Sequence, residues 1–88
     1  MVERTCIVQN EFGLHARAAS LLVQTAARFG SHIEIWKDGQ RANAKSPIEV
    51  LTLFAARGAQ LVVRASGRDA AQAVMALEAL ILDGFGER

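Results

Sequence analysis

Apolar and polar residues alternate along several short stretches of the chain, a period of two that is typical of β-strands with one buried face. In the clearest stretch Ile33 and Ile35 share one face, and the residues between and beside them share the other. With its β-branched residues, the pattern predicts four strands: Arg4 to Val8, His32 to Lys37, Gln40 to Asn43 and Gln60 to Ala65. The dipeptide Asp38-Gly39 predicts a hairpin between the second and third strands, because both turn positions must tolerate a positive φ.

Three other stretches carry apolar residues at helical spacing. They predict a helix from Ala16 to about Phe29, a short helix that begins at Ser46-Pro47 and runs to about Phe54, and a helix from about Ala70 to Leu82. Gly30 is a candidate C-terminal cap for the first helix. The second helix has a capping box in Ser46 and Glu49, with Pro47 at its first position. The third helix is expected to end near Gly84.

The predicted elements follow one another in the order βαββαβα. The 88 residues are enough for one domain, residues 1–88, with a modest core, but too few for a catalytic cleft between two lobes. Because hydrophobic residues make up 51% of the chain and aromatic residues only 6%, aliphatic side chains must fill that core. We expect an α+β open-faced sandwich, in which three helices cover one face of a four-stranded antiparallel sheet.

Charge and cysteine content exclude several classes of function. Ten Lys and Arg against nine Asp and Glu leave a net charge of +1, which gives no broad field for holding a nucleic acid or an anionic membrane. Cys6, an expected core residue, is the only cysteine, so neither an internal disulfide nor a zinc site built from cysteine pairs can form. No stretch approaches the ~20 apolar residues of a membrane span, and no export signal follows Met1. We therefore expect a cytoplasmic protein with no membrane insertion and no nucleic-acid partner.

The candidate chemistry lies in Gly13-Leu14-His15-Ala16-Arg17, between the first predicted strand and the first predicted helix. At a helix N-terminus, unpaired N–H groups and the positive end of the dipole favour an anion. Arg17 has a planar, charged fork suited to phosphate oxygens, and neutral imidazole is nucleophilic near pH 7. His15 is therefore a candidate for taking up a phosphoryl group covalently. The plainer interpretation is a solvated loop histidine, which spacing alone favours.

This stretch resembles the active-site signature of the HPr family, the histidine phosphocarriers of the phosphoenolpyruvate-dependent phosphotransferase system. A second block, Asn43-Ala44-Lys45-Ser46, stands where that family carries a regulatory serine, and the likeness covers nearly the whole chain. The resemblance implies the HPr-like fold and phosphorylation of His15 through Nδ1. It also implies support of the phosphate by the backbone N–H groups of Ala16 and Arg17 and by the Arg17 side chain. Ser46 would be a regulatory phosphoserine, although helix capping alone also explains a serine there.

The resemblance further implies a docking surface formed by the start of the second helix and the exposed side of the first. Its expected residues are Ser20, Gln24, Lys45, Pro47 and Ile48. The sequence departs from the family pattern at Ala18, where most members have proline. Phe12 beside the site and Glu49 in the second helix make the surface less basic than in many members, which leaves the identity of the partners open.

What the resemblance implies is a phosphocarrier, not a stand-alone enzyme, that uses no cofactor and no metal. Its partners would be an Enzyme I-type phosphoryl donor, sugar-specific A-domains or regulatory acceptors, and a serine kinase or phosphorylase acting on Ser46. The alternative to sugar uptake is a nitrogen-related or regulatory phosphocarrier that controls other proteins. A more remote alternative is a non-catalytic interaction module. His32 has no second metal ligand at suitable spacing, and Trp36 is expected to be exposed on the open sheet face, so neither receives a role.

Overall fold

A four-stranded sheet and three helices account for most of residues 1–87, the part of the chain that this computed structural model describes. The strands are β1 (Val2–Ile7), β2 (His32–Lys37), β3 (Gln40–Asn43) and β4 (Gln60–Ser66). The helices are α1 (Ala16–Ala26), α2 (Pro47–Leu51) and α3 (Ala70–Leu82), and a 3₁₀ turn follows at Gly84–Gly86. The order βαββαβα is the one that the sequence predicts.

The strands lie in the order β1-β4-β2-β3, and each neighbouring pair is antiparallel. The register places Cys6 opposite Leu61 and Ile35 opposite Val63, and all four side chains are buried. Alternate residues of the sheet thus face the helical layer. In that layer α3 packs against β1 and β4, while α1 packs against α2 and α3. The predicted open-faced sandwich is confirmed.

The core between the two layers is built mainly from aliphatic side chains such as Leu22, as the composition predicts. Phe85, just after α3, adds an aromatic ring that is 2% exposed. Cys6 is buried as predicted, and this burial, with a smaller contribution from the charge of Glu78, raises the pKa of its thiol. The longest helix of residues 1–87 has 13 residues, and none of the helices described there has the length and apolar character needed to cross a membrane.

Helix α1 ends three residues earlier than predicted, at Ala26 instead of Phe29. The N–H groups of Arg28 and Phe29 bond to carbonyls three residues back instead of four, so the chain tightens and leaves the helix. The predicted capping role of Gly30 is also wrong, because its backbone is not left-handed. Its N–H instead donates to the carboxylate of Asp69 at 2.9 Å, which ties the end of α1 to the start of α3.

Helix α2 is shorter than predicted as well, since it ends at Leu51 instead of Phe54. Leu53 and Phe54 donate their N–H groups to carbonyls three residues back. Phe54 then takes a φ of 50°, a left-handed conformation from which an α-helix cannot continue.

Both ends of β1 and the C-terminal end of β4 also differ from the prediction. β1 begins at Val2, and Val8 lies beyond its end because its backbone bonds to the loop residues Gly58 and Ala59. β4 continues one residue further than predicted, to Ser66, because that residue still pairs with the start of β2. Val8 is nevertheless buried on the same side as Cys6, as expected.

The bounds of β2, β3 and α3 agree with the prediction, and so does the hairpin turn, where Asp38 and Gly39 have φ of 50° and 79°. The prediction that Trp36 is exposed on the open sheet face is wrong, because its side chain is half-buried. The guanidinium of Arg64 lies 5.1 Å from the centre of a Trp36 ring, and the indole N–H donates to Glu34 at 2.9 Å. These neighbours lie on the adjacent strand and on the same strand, and they cover part of the ring.

Candidate functional site

His15 is the N-cap residue of α1. Its backbone is extended, and its carbonyl oxygen accepts the N–H of Ala19 at 2.8 Å, which is the first hydrogen bond of the helix. The imidazole does not cap the helix, and its side chain is 33% exposed. The N–H groups of the first turn therefore remain available to an anion beside an accessible imidazole. This is the arrangement predicted for His15.

Gly13 and Leu14 hold the loop before His15 against the segment that follows α2. Gly13 has a φ of 62°, and a Cβ placed on it would come within 2.4 Å of the carbonyl oxygen of Ala55, so only glycine fits here. The N–H of Leu14 donates to that same oxygen at 2.8 Å, and its side chain is buried, as the sequence suggests. The backbone of the loop is thereby fixed on both sides of the turn.

Glu87 is the site residue that sequence reasoning missed. Its carboxylate contacts Nε2 of His15 and also accepts a hydrogen bond from Nδ2 of Asn10 at 2.9 Å. The same Nδ2 donates to the carbonyl of Gly13 at 2.7 Å, so buried Asn10 joins the loop to Glu87. The hydrogen bond from Asn10 and then that from His15 lower the pKa of the Glu87 carboxyl, and the positive charge of Arg17 adds to the shift.

The contact with Glu87 determines which nitrogen of the neutral His15 ring carries the proton. A carboxylate is ionised and accepts only, so the neutral imidazole must donate from Nε2 and keep its lone pair on Nδ1. Nδ1 of His15 makes no hydrogen bond to any other group of residues 1–87. The lone pair of the neutral ring therefore lies on Nδ1.

Arg17 lies in the first turn of α1, two residues after His15, and its side chain is exposed. Among residues 1–87 its guanidinium has no hydrogen bond or ion pair, although it is near enough to Glu87 to lower the pKa of that carboxyl. Ala18, the departure from the family pattern, is fully buried in a regular helix. The first turn thus forms without proline, and the Arg17 fork is left available to a ligand.

Comparison with known proteins agrees with this geometry. The family model described as PTS HPr component phosphorylation site matches residues 2–83. The chain belongs to the HPr family. It is 41% identical over 87 residues to the phosphocarrier protein HPr of Xylella fastidiosa, covering 99% of this chain and 98% of that one.

Solved structures of HPr proteins share the fold as well. HPr-C-His from Thermoanaerobacter tengcongensis matches with a TM-score of 0.96 and 42% identity, over 100% of this chain and 99% of the other. The Bacillus subtilis catabolite repression containing protein Crh, described as a domain-swapped intertwined dimer, matches with a TM-score of 0.77 and 36% identity, over 96% and 97% of the two chains. The α+β sandwich and its HPr family are therefore shown by sequence and by structure.

Ser46, at the position of the HPr regulatory serine, is the N-cap of α2. Its hydroxyl accepts the N–H of Glu49 at 3.4 Å, which is the predicted half of the capping box. The other half is wrong: the Glu49 carboxylate accepts from the N–H of Asn43 at 3.0 Å instead of from Ser46. The chain turns between β3 and α2, and this turn brings the Asn43 N–H within reach of Glu49. Ser46 itself is half-buried.

The five residues that the HPr resemblance assigns to partner docking are all exposed: Ser20, Gln24, Lys45, Pro47 and Ile48. They lie on α1, at the start of α2 and just before it, two helices that pack side by side. Lys45 has a structural role too, since its ammonium donates to the carbonyl of Phe29 at 2.7 Å. Phe12, which the sequence places beside the site, is exposed next to His15, and so is Phe54, which the sequence analysis did not assign to this surface.

His32 lies far along the sequence from the HPr signature, on the polar face of β2. Its side chain is 62% exposed and Nε2 lies 2.9 Å from the carboxylate of Glu34. That hydrogen bond and the one from Trp36 lower the pKa of Glu34. In the described part of the chain no three His, Cys, Asp or Glu side chains form a group that could hold a metal ion.

Proposed function

We propose that this HPr-family chain carries a phosphoryl group on His15 between proteins of the phosphotransferase system. An Enzyme I-type donor, itself charged by phosphoenolpyruvate, would deliver the group, and an acceptor domain serving sugar uptake would remove it. In the first step the Nδ1 lone pair forms a bond to phosphorus while the bond from phosphorus to the donor breaks. The second step is the same exchange toward the acceptor, so the chain is regenerated without net change.

The observation that carries this proposal is the contact between Glu87 and Nε2 of His15. It keeps the proton on Nε2 and the lone pair on Nδ1, next to a helix N-terminus that favours a phosphate. Once Nδ1 is phosphorylated, Nε2 still carries a proton, and the carboxylate continues to accept it. Glu87 therefore suits both the free and the phosphorylated ring.

Arg17 and the first turn of α1 supply the positive counterpart to the phosphate. The guanidinium is exposed and, among residues 1–87, unpaired, so phosphate binding does not require an existing ion pair to break. Its fork offers paired N–H donors to phosphate oxygens, and the backbone N–H groups of Ala16 and Arg17 lie in the turn that lacks helical acceptors. These groups stabilise the phosphoryl group on His15, while the donor and acceptor proteins provide the residues that deliver and remove it.

The test is phosphorylation of wild type, His15→Ala and His32→Ala by phosphoenolpyruvate and an Enzyme I-type donor, followed by intact mass. We expect one added phosphoryl group in wild type and His32→Ala and none in His15→Ala, with all three folded by circular dichroism. The adduct should survive base and be lost in acid, as a phosphohistidine is. A persistent adduct in His15→Ala would show that the assignment of the site is wrong.

Regulatory output is the second candidate function, with the same chemistry at His15. It is favoured by the likeness to the Bacillus subtilis catabolite repression containing protein Crh, and by the position of Ser46 at a helix N-cap, where a phosphoryl group is tolerated. Expression in bacteria that lack their own HPr separates the two outputs. Restored sugar uptake supports the transport role, and a chain that is phosphorylated without restoring uptake supports the regulatory one.

A further inference from the structure

Two exposed phenyl rings border a shallow hollow beside His15. Phe12 is 72% exposed and Phe54 is 82% exposed, and both line a hollow of about 370 Å³ that also includes His15, Leu14 and Leu51. The ring of Phe12 meets the His15 imidazole edge to face, with 6.0 Å between centres. We refer to Phe12 and Phe54 as the aromatic rim. An apolar hollow with such a rim is costly to leave in water.

Phe54 combines a strained backbone with an exposed ring, and packing of the fold explains neither feature. Its φ of 50° is a conformation that costs energy for any residue with a Cβ, and most for a bulky one. Among residues 1–87, two other non-glycine residues have a positive φ, and each has a structural reason. Asp38 occupies a hairpin turn that favours Asp, and Phe85 buries its ring in the core. Phe54 has the strain without the burial.

Proteins retain strained residues where function requires them, and the location of Phe54 indicates which function. A protein that exchanges a phosphoryl group with His15 must bring its reacting atom to about 3–3.5 Å from the phosphoryl group or the ring. At that distance its surface also covers the hollow, because His15 itself forms part of the wall. The aromatic rim therefore belongs to the same surface around His15 that such a partner would contact.

We propose that the aromatic rim determines partner affinity by receiving an apolar side chain from the protein that exchanges phosphoryl groups with His15. This proposal rests on the proposed function. The partner would present an aliphatic or aromatic side chain next to its own reacting group, and that side chain would bury against Phe54 and Phe12. Burial of the rings in the complex would remove their apolar surface from water and so contribute to the binding free energy.

Phe54→Gly tests the proposal because stability and affinity should change in opposite directions. Glycine adopts a φ of 50° without penalty, so the urea midpoint should rise. Loss of the ring should raise the KM of the donor enzyme for this chain about tenfold with kcat within about twofold, since the contact is made equally before and during transfer. Phe54→Leu keeps both the strain and an apolar side chain, so its KM should stay within about threefold of wild type.

Met75→Ala is the matched control, because Met75 is also an exposed apolar side chain, 64% exposed, but lies on α3. Its KM should equal that of wild type. An unchanged KM in Phe54→Gly would overturn the proposal, and so would a lower urea midpoint, which would mean that the ring supports the fold.

A second measurement separates this proposal from the proposed function. The donor is titrated into unphosphorylated His15→Ala and into the double variant with Phe54→Gly, and a roughly tenfold weaker Kd is expected for the double variant. If wild type takes up no phosphoryl group but this difference in Kd is seen, the proposed function fails, while the contact between the aromatic rim and the donor is supported. Equal Kd values, or no binding by either variant, would overturn the proposal that the aromatic rim determines affinity for the donor.

Discussion

Single residues around His15 act through one connected set of hydrogen bonds. Asn10 holds both the Gly13 carbonyl and Glu87, and Glu87 holds the imidazole, so the loop and the ring are positioned together. Gly13 belongs to the same set, since a side chain there would displace the Ala55 carbonyl that anchors Leu14. The tautomer of the neutral His15 ring is thus selected by hydrogen bonding from residues of the loop and of the C-terminal turn.

Titration of Glu87 tests this arrangement directly. Its depressed pKa means that the contacts with Asn10 and His15 stabilise the fold above the ordinary pKa of a glutamate and are lost as the pH falls through the lowered value. Carboxyl ¹³C NMR should therefore find Glu87 titrating below an ordinary glutamate, and His15→Ala should move its pKa upward. Glu34 provides the internal control, because His32 and Trp36 lower its pKa independently of His15. A Glu87 pKa that is the same in both proteins would contradict the contact.

At the scale of elements, helix termini carry the candidate chemistry. His15 stands at the start of α1 and Ser46 at the start of α2, and the two helices pack side by side. The expected docking residues lie on or next to the same two helices, so a change of charge at Ser46 would fall on the expected docking surface. A helix cap can therefore double as a regulatory position.

Two substitutions of Ser46 separate the cap from the regulatory role. Ser46→Ala removes the hydroxyl that accepts the Glu49 N–H, and we expect a loss of about 1 kcal/mol in the free energy of unfolding with phosphorylation of His15 maintained. Ser46→Asp can still cap, so its stability should be close to wild type. Its added negative charge should weaken association with an acidic donor, which raises KM in a salt-dependent manner.

Urea midpoints and donor-dependent phosphorylation at limiting carrier check the two effects. If Ser46→Asp is phosphorylated as efficiently as wild type at low and moderate salt, Ser46 is a helix cap without influence on the donor.

Across the whole molecule, Asp69 joins the two long helices. Its carboxylate accepts from the hydroxyl of Ser31, from the N–H of Ser31 at 3.0 Å and from the N–H of Gly30 at 2.9 Å. Ser31 follows α1 and Asp69 is the N-cap residue of α3, so these bonds connect the ends of both helices over the start of β2. Gly67 allows the approach, since a Cβ there would come within 2.6 Å of the Ser31 hydroxyl.

The stability of the fold toward acid should depend on this connection. The hydrogen bond from the Ser31 hydroxyl, then that from Gly30, lowers the pKa of Asp69. Its contribution is therefore complete above the ordinary aspartate pKa of about 3.9 and disappears as the pH falls through the lower, folded value. Asp69→Asn should be less stable than wild type near neutral pH, and the difference in urea midpoint should shrink as the pH falls below about 4. A difference independent of pH would mean that the charge of Asp69 is not involved.

The sequence by itself determined the order βαββαβα, the buried stripes, the Asp38-Gly39 hairpin and the placement of His15 and Ser46 at helix starts. Each of these depends on periodicity, turn chemistry or capping within a few neighbouring residues. Resemblance added the identity of the HPr signature, which spacing alone left open between a phosphate site and a solvated histidine.

Tertiary structure alone decided the contact of Glu87 with His15, because 72 residues separate them and no local pattern connects a glutamate after the last helix with the first loop. It also decided where α1 and α2 end. In both helices the hydrogen bonds switch to carbonyls three residues back, and the helix ends before the apolar pattern does. The partial burial of Trp36 required Arg64 from the neighbouring strand. In each case the outcome depends on groups that only the packed sheet and helices bring together, and periodicity along one segment carries no information about them.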